Sequence, residues 1–113
     1  MSGDTSELVE FLAAQPRRVA MPRYADAQEL RDSLTRDYVL LRFTETRGET
    51  ELGVPLERAR CDLSGADFDA GRGEVVLVGR LSLDFVDVEC EATLDLSSLT
   101  GVGRLRPLTV PAS

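Results

Sequence analysis

The stretch EVVLVGRLSLDFVDVECEATLDL, residues 74–96, alternates apolar and polar side chains almost without a break. Val75, Leu77, Gly79, Leu81, Leu83 and Phe85 take the odd positions, and Val86, Val88, Cys90, Ala92, Leu94 and Leu96 take the even ones. A period of two is the signature of a strand with one face buried. The run is far longer than the roughly 3–10 residues of a single strand, and its phase slips at Phe85-Val86. We therefore expect two antiparallel strands, 74–83 and 87–96, joined around Asp84–Val86. A bulged bend in one long strand is the alternative, because no glycine or asparagine marks the joint.

Working outward, Val39, Leu41 and Phe43 alternate with Tyr38, Leu40 and Arg42, and the polar segment 44–50 with Gly48 is a hairpin connection. The returning strand directs Leu52 and Val54 inward before Pro55. Ala59, Cys61 and Leu63 alternate with Arg58, Arg60 and Asp62, which predicts a third strand over Arg58–Leu63. Ser64–Gly73 is a turn-rich loop, Ser97–Gly103 a second break, and Arg104–Val110 a final strand interrupted by Pro107.

Before Tyr38 the period is helical. Asp4 and Glu7 have the spacing of a capping box for a helix over Thr5–Ala14, with Leu8, Phe11 and Leu12 as its apolar stripe and Gln15-Pro16 as its end. Arg17–Arg23 is an extended linker or edge strand between prolines. Asp26 and Glu29 cap a second helix, Ala27–Thr35, which groups Ala27, Leu30 and Leu34 on one face and carries Arg31 and Arg36 toward its C-terminal end. The expected fold is α+β: an antiparallel, strand-rich sheet, curled toward a barrel in one version, with one or two short N-terminal helices. An all-β version treats the second helix as an irregular crossover. The chain is expected to form one domain over 1–113, with flexible ends at 1–4 and 111–113.

Composition narrows the chemistry. The 113 residues carry 20 acids against 13 basic residues, a net charge of −7, and all the basic residues are arginine. Lysine, histidine, tryptophan, asparagine and isoleucine are absent. Joint loss of lysine, asparagine and isoleucine follows codon bias in a high-GC genome, which suggests a bacterial source. Without histidine this chain has no His-activated nucleophile and no imidazole ligand, and without lysine no Schiff base or phosphate-loop lysine. Two cysteines cannot supply the four ligands of a typical structural zinc site. Cofactors and metals are therefore not expected, and acid–base work would fall to carboxylates, thiols or tyrosines supported by arginine. The acidic balance argues against nucleic acid as a partner and favours a basic surface. Residues 1–10 lack the basic start and apolar stretch of a secretory signal, and no run is long enough to insert in a membrane; with two cysteines read as reduced thiols, a cytoplasmic location is expected.

Three groups of residues stand out. Asp87, Glu89, Glu91 and Asp95 share one strand face; they read first as a solvated face that discourages sheet stacking, and second as a contact for a basic partner. Arg17, Arg18 and Arg23, with Arg42 and Arg80 on strands, are the candidate anion binders, set against an ordinary role as salt-bridge donors. Arg58 and Arg60 share a face and can meet acids on a neighbouring strand, and Arg104 and Arg106 repeat that spacing. Cys61 and Cys90 read as small core residues. Gly71-Arg72-Gly73 and Gly101-Val102-Gly103 match no nucleotide fingerprint and read as turns. The function these features favour is a non-catalytic interaction or structural domain that forms a homo-oligomer, using Leu8, Phe11 and Leu12 and the strand edges. A small acidic or amphipathic ligand held by Arg42 or Arg80 is the first alternative, and an enzyme using only carboxylates and arginines the second.

Overall fold

The computed structural model describes residues 7–83 and 86–108. The fold is α+β: seven strands form one antiparallel, curled sheet, and two short helices precede most of it. In chain order the elements are α1 (Glu7–Ala14), β1 (Arg17–Ala20), α2 (Ala27–Thr35), β2 (Tyr38–Phe43), β3 (Thr50–Pro55), a 3-10 turn (Arg58–Arg60), β4 (Ala66–Asp67), β5 (Arg72–Leu83), β6 (Val86–Asp95) and β7 (Thr100–Pro107). Across the sheet they run β3-β2-β1-β7-β6-β5-β4.

The long alternating run forms two antiparallel strands, paired from Glu74↔Asp95 to Leu83↔Val86. Its connecting residues, Asp84 and Phe85, lie outside the described residues, as do the expected Asp4 cap, the first residues of the first helix, the chain ends and Thr109–Val110. The inward positions are those the alternation selects: Val75, Leu77, Val88, Cys90, Ala92 and Leu94 are all buried, as are Val39, Leu41, Phe43, Leu52 and Val54. These side chains fill the curl. The space left among Met21, Val39, Leu41, Val54, Leu77 and Cys90 is only about 10 Å³, at the lower limit for one water.

Several local expectations differ from the structure. Arg17–Ala20 is neither linker nor edge: it pairs with β2 on one side and β7 on the other. Its register with Thr100–Gly103 also shortens the expected break at Ser97–Gly103 to a turn ending at Leu99, since β7 begins at Thr100. The two glycines read as turn formers are inside that strand, where neighbouring atoms leave little room for a Cβ. A Cβ on Gly101 would collide with the Thr93 carbonyl, and one on Gly103 would lie 3.0 Å from Val19 Cγ1.

The predicted strand over Arg58–Leu63 is instead a 3-10 turn framed by two isolated bridges, Leu56↔Gly79 and Asp62↔Val76. This segment closes the curl by running beside β5. Glu57 N–H donates to the Val78 carbonyl at 2.8 Å, and Asp62 and Val76 exchange bonds of 2.8 and 2.9 Å. Glycine is required at 79, because a Cβ there would meet the Pro55 carbonyl oxygen and Val54 Cγ1.

α2 begins as expected: the Asp26 carboxylate accepts from Glu29 N–H at 3.0 Å, and the Glu29 carboxylate accepts from Ala25 N–H at 2.9 Å. Ala27, Leu30 and Leu34 are buried. Where β1 ends, a hydroxyl relay continues the join to β2. Ser33 Oγ donates to the Tyr38 carbonyl at 2.6 Å; Tyr24 OH therefore donates to Ser33 Oγ at 2.9 Å and accepts from Leu40 N–H at 3.1 Å. A hydroxyl has one proton to give, which fixes the direction.

On α1 the buried residues are Val9 and Leu12, while Leu8 is half-buried and Phe11 is 37% exposed. The expected Leu8–Phe11–Leu12 stripe is thus rotated: Leu12 belongs to the core of this chain. Two arginines from outside the helix satisfy its last carbonyls, Arg17 Nε to Phe11 O and Arg104 Nε to Ala13 O, both at 3.0 Å.

Candidate functional site

The outer face of strands β5, β6 and β7 gathers part of the charged set the sequence singled out: Arg60, Arg80, Glu89, Glu91, Arg104 and Arg106. The strand register sets Arg80, Glu89 and Arg106 directly opposite one another, with Glu91 facing Arg104 on the next rung. The 3-10 turn then brings Arg60 over the same face. Arg60 Nη1 forms an ion pair with Glu89 Oε2 and another with Glu57 Oε1 at 3.2 Å; Arg106 Nη2 lies 3.5 Å from Glu89 Oε1, and Arg80 Nε 3.6 Å from Glu57 Oε2. The charges alternate along a chain: Arg80, Glu57, Arg60, Glu89, Arg106.

Glu89 corrects the reading of a solvated acidic stripe, because it is only 5% exposed. A buried carboxylate is costly unless cations face it, and two guanidiniums do. The contact of Oε2 with Arg60 is an ion pair rather than an aligned hydrogen bond. Asp95 also leaves the stripe. It folds the β6–β7 turn, accepting from Ser97 Oγ at 2.7 Å and Ser97 N–H at 2.8 Å, and these bonds hold its carboxyl below the usual range. The same Asp-Leu-Ser arrangement recurs at Asp62, where Ser64 Oγ (2.6 Å) and Ser64 N–H (2.9 Å) lower the carboxyl. Asp87 and Glu91 remain exposed.

The candidate anion-binding arginines do not converge. Arg17 stacks on Phe11, 3.6 Å from the ring centroid, and lies 3.8 Å from Glu45. The Arg18 side chain is exposed, and its backbone N–H donates to Glu45 at 2.8 Å. Arg23 and Arg42 both grip Glu51, at 3.1 Å each, and the Arg23 bonds foremost hold the Glu51 carboxyl below its ordinary value. Arg17, Arg23 and Arg42 are thus salt-bridge donors, while Arg18 contributes only its backbone N–H to Glu45.

A concave site lies elsewhere, between the C-terminal end of α2 and the closing segment. It has a volume of about 160 Å³, and its walls are Leu34, Leu56, Cys61, Leu63, Phe68 and Leu77. Arg31, Asp37 and Arg58 also line it, so its arginines are not the expected Arg42 and Arg80. Arg58 is fixed: Nε donates to Asp37 Oδ1 at 2.8 Å, and Nη2 to the Leu34 and Thr35 carbonyls at 3.2 and 3.3 Å. Its guanidinium thereby meets the C-terminal carbonyls of α2, the end where the sequence placed Arg31 and Arg36 to complement the helix dipole. It also steadies Asp37, whose φ of 56° lies in the left-handed region. Sequence reasoning missed this pocket because Arg58–Leu63 reads as a strand, whereas it is a turn that leaves the pocket beside it.

Both thiols are free. Cys61 is half-buried against β5, where its sulfur accepts from Val78 N–H at 3.3 Å and donates to the Val78 carbonyl at 3.5 Å. Burial, reinforced by Glu91, pushes the Cys90 thiol up to about 12. Among the described residues, no cluster of three or more cysteine, aspartate or glutamate side chains forms a metal-binding group, and no helix is long and apolar enough to cross a membrane. Comparison with models of known protein families and with curated protein sequences found no match.

Proposed function

We propose that the chain is a non-catalytic interaction domain that associates with a second copy of itself, edge to edge, through the Arg80–Leu83 end of β5. One observation carries this reading: beyond the Leu56↔Gly79 bridge, no described strand pairs with the outer edge of β5. Val76 and Val78 turn their backbone groups outward to the closing segment. By the period of two, Ser82 turns its N–H and C=O outward as well.

An unpaired edge is a template for another strand, and this one carries neither lysine nor proline. Leu81, Leu83, Val86 and Leu8 are only partly buried against the core. A second copy pairing antiparallel about Ser82 would form an isologous contact with the same residues on both sides. Phe11, at 37% exposure, is further apolar surface on α1, whereas Leu12 is committed to the core of one chain.

Size-exclusion chromatography with light scattering at high micromolar concentration tests this. The expected result is a dimer that Ser82→Pro converts to monomer, since proline removes the outward N–H, with unchanged far-ultraviolet circular dichroism. A wild-type chain that stays monomeric overturns the reading, as does a dimer indifferent to Ser82→Pro.

A further inference from the structure

The geometry points to a second binding site, independent of the β5 edge. We propose that the pocket between α2 and residues 56–68 takes a small amphipathic monocarboxylate, an aromatic ring or branched apolar body bearing one carboxylate.

Size and lining define the body. A volume of about 160 Å³ matches that of an engineered apolar cavity that holds benzene. Leu34, Leu56, Phe68 and Leu77 supply an apolar floor and walls, and Leu63, 38% exposed, stands in the lining with apolar surface for a ligand to cover. Binding there removes this surface from water, at roughly 25 cal/mol per Å².

Charge defines the head group. Arg58 is committed to Asp37 and two helix carbonyls and serves as a fixed part of the wall. Arg31 differs. Its ion pair is with Asp69 at 3.5 Å, and the two side chains are 47% and 83% exposed. Unlike Arg58 with its three hydrogen bonds, Arg31 is held, among the described residues, by this one exposed contact, which is weak, and a ligand carboxylate seated on the apolar body can displace Asp69 and take the guanidinium in bidentate geometry. Asp37 and Asp69 near the site select a single negative charge, because a second one would be repelled.

The test is an NMR titration of the full chain with 3-phenylpropionate and, separately, its neutral analogue 3-phenylpropanol. The expected result is a saturable, one-to-one shift of backbone amides in residues 31–37, 56–63, 68 and 77. Arg31→Gln weakens the carboxylate roughly tenfold and leaves the alcohol unchanged, while Leu63→Trp, by filling the pocket, weakens both. Absence of saturable shifts up to about 10 mM, shifts centred elsewhere, or equal loss of both ligands in Arg31→Gln would overturn the proposal. So would shifts of these amides on protein dilution alone, which would assign the pocket to a second copy of the chain.

Discussion

The wall formed by β1, β7 and β6 and the seam between β3 and β5 close the same curl by different means. In the wall, β6 and β7 pair without interruption from Val88↔Pro107 to Asp95↔Thr100, and β7 passes the ladder on to β1. At the seam, two isolated bridges, a three-residue 3-10 turn and an alternating chain of arginines and glutamates replace the ladder. Backbone bonds in a ladder support one another and sit over buried apolar side chains. The seam relies on long, half-exposed side chains, which lose rotamer freedom when held and are screened by salt. The two regions should therefore differ in stability even though they belong to one sheet.

The largest contrast is expected from core truncation. Leu94 is fully buried in the wall, and Leu94→Ala should cost about 2–5 kcal/mol. Leu56, half-buried at the seam, should cost about 1–2 kcal/mol as Leu56→Ala. Urea denaturation followed by circular dichroism measures both, and equal losses would remove the distinction.

A smaller effect, confined to the seam, is expected from Arg60→Ala. It deletes the guanidinium that links Glu57 to the buried Glu89, so the closing segment should open more often. Thiol labelling at neutral pH reads this directly: Cys90 stays silent because burial pushes it up to about 12, leaving Cys61 as the reporter. Arg60→Ala should speed Cys61 labelling, and added salt should speed it in the wild type by weakening the same ion pairs.

The smallest effect is in acid and spans both regions. Asp62 at the seam and Asp95 in the wall turn are held below the ordinary carboxyl range by their serines. A carboxyl lowered on folding contributes stability that is fully present above its unfolded pKa and is lost as pH falls through the folded value. Stability should thus decline below about pH 4, and replacing both aspartates by asparagine should flatten that decline. An unchanged acid profile in the double variant would remove these turns from the account.

The same contrast explains what the sequence discloses. The wall strands and the β2–β3 hairpin are legible because period two is their whole specification, and α2 is legible because Asp26 and Glu29 cap it locally. β1 hides because four residues, of which only Val19 is buried, look like a linker between prolines. The start of β7 hides because Gly101 and Gly103 stand where apolar side chains would mark a strand.

At the charged site, alternation placed Glu89 on the outward face, but its burial depends on a register and a turn that only folding specifies. The Ala59–Cys61–Leu63 alternation is accidental; it held two of the pocket's lining residues, Cys61 and Leu63, but suggested a surface without a pocket. Arg58 and Arg60 were expected to meet acids across strands, and Arg60 does reach Glu89, though from a turn rather than a strand. The acids and arginines could be listed from the sequence, but their pairing required coordinates.

Residue-resolved amide hydrogen exchange tests the central claim most directly, because it reads the opening free energy of wall and seam in one molecule. The Glu57, Asp62 and Val76 amides should exchange through a partial opening well below the global unfolding free energy, while the buried β6 amides, such as those of Cys90 and Leu94, exchange only with global unfolding. Uniform protection across both regions, unchanged in Arg60→Ala, would contradict the account.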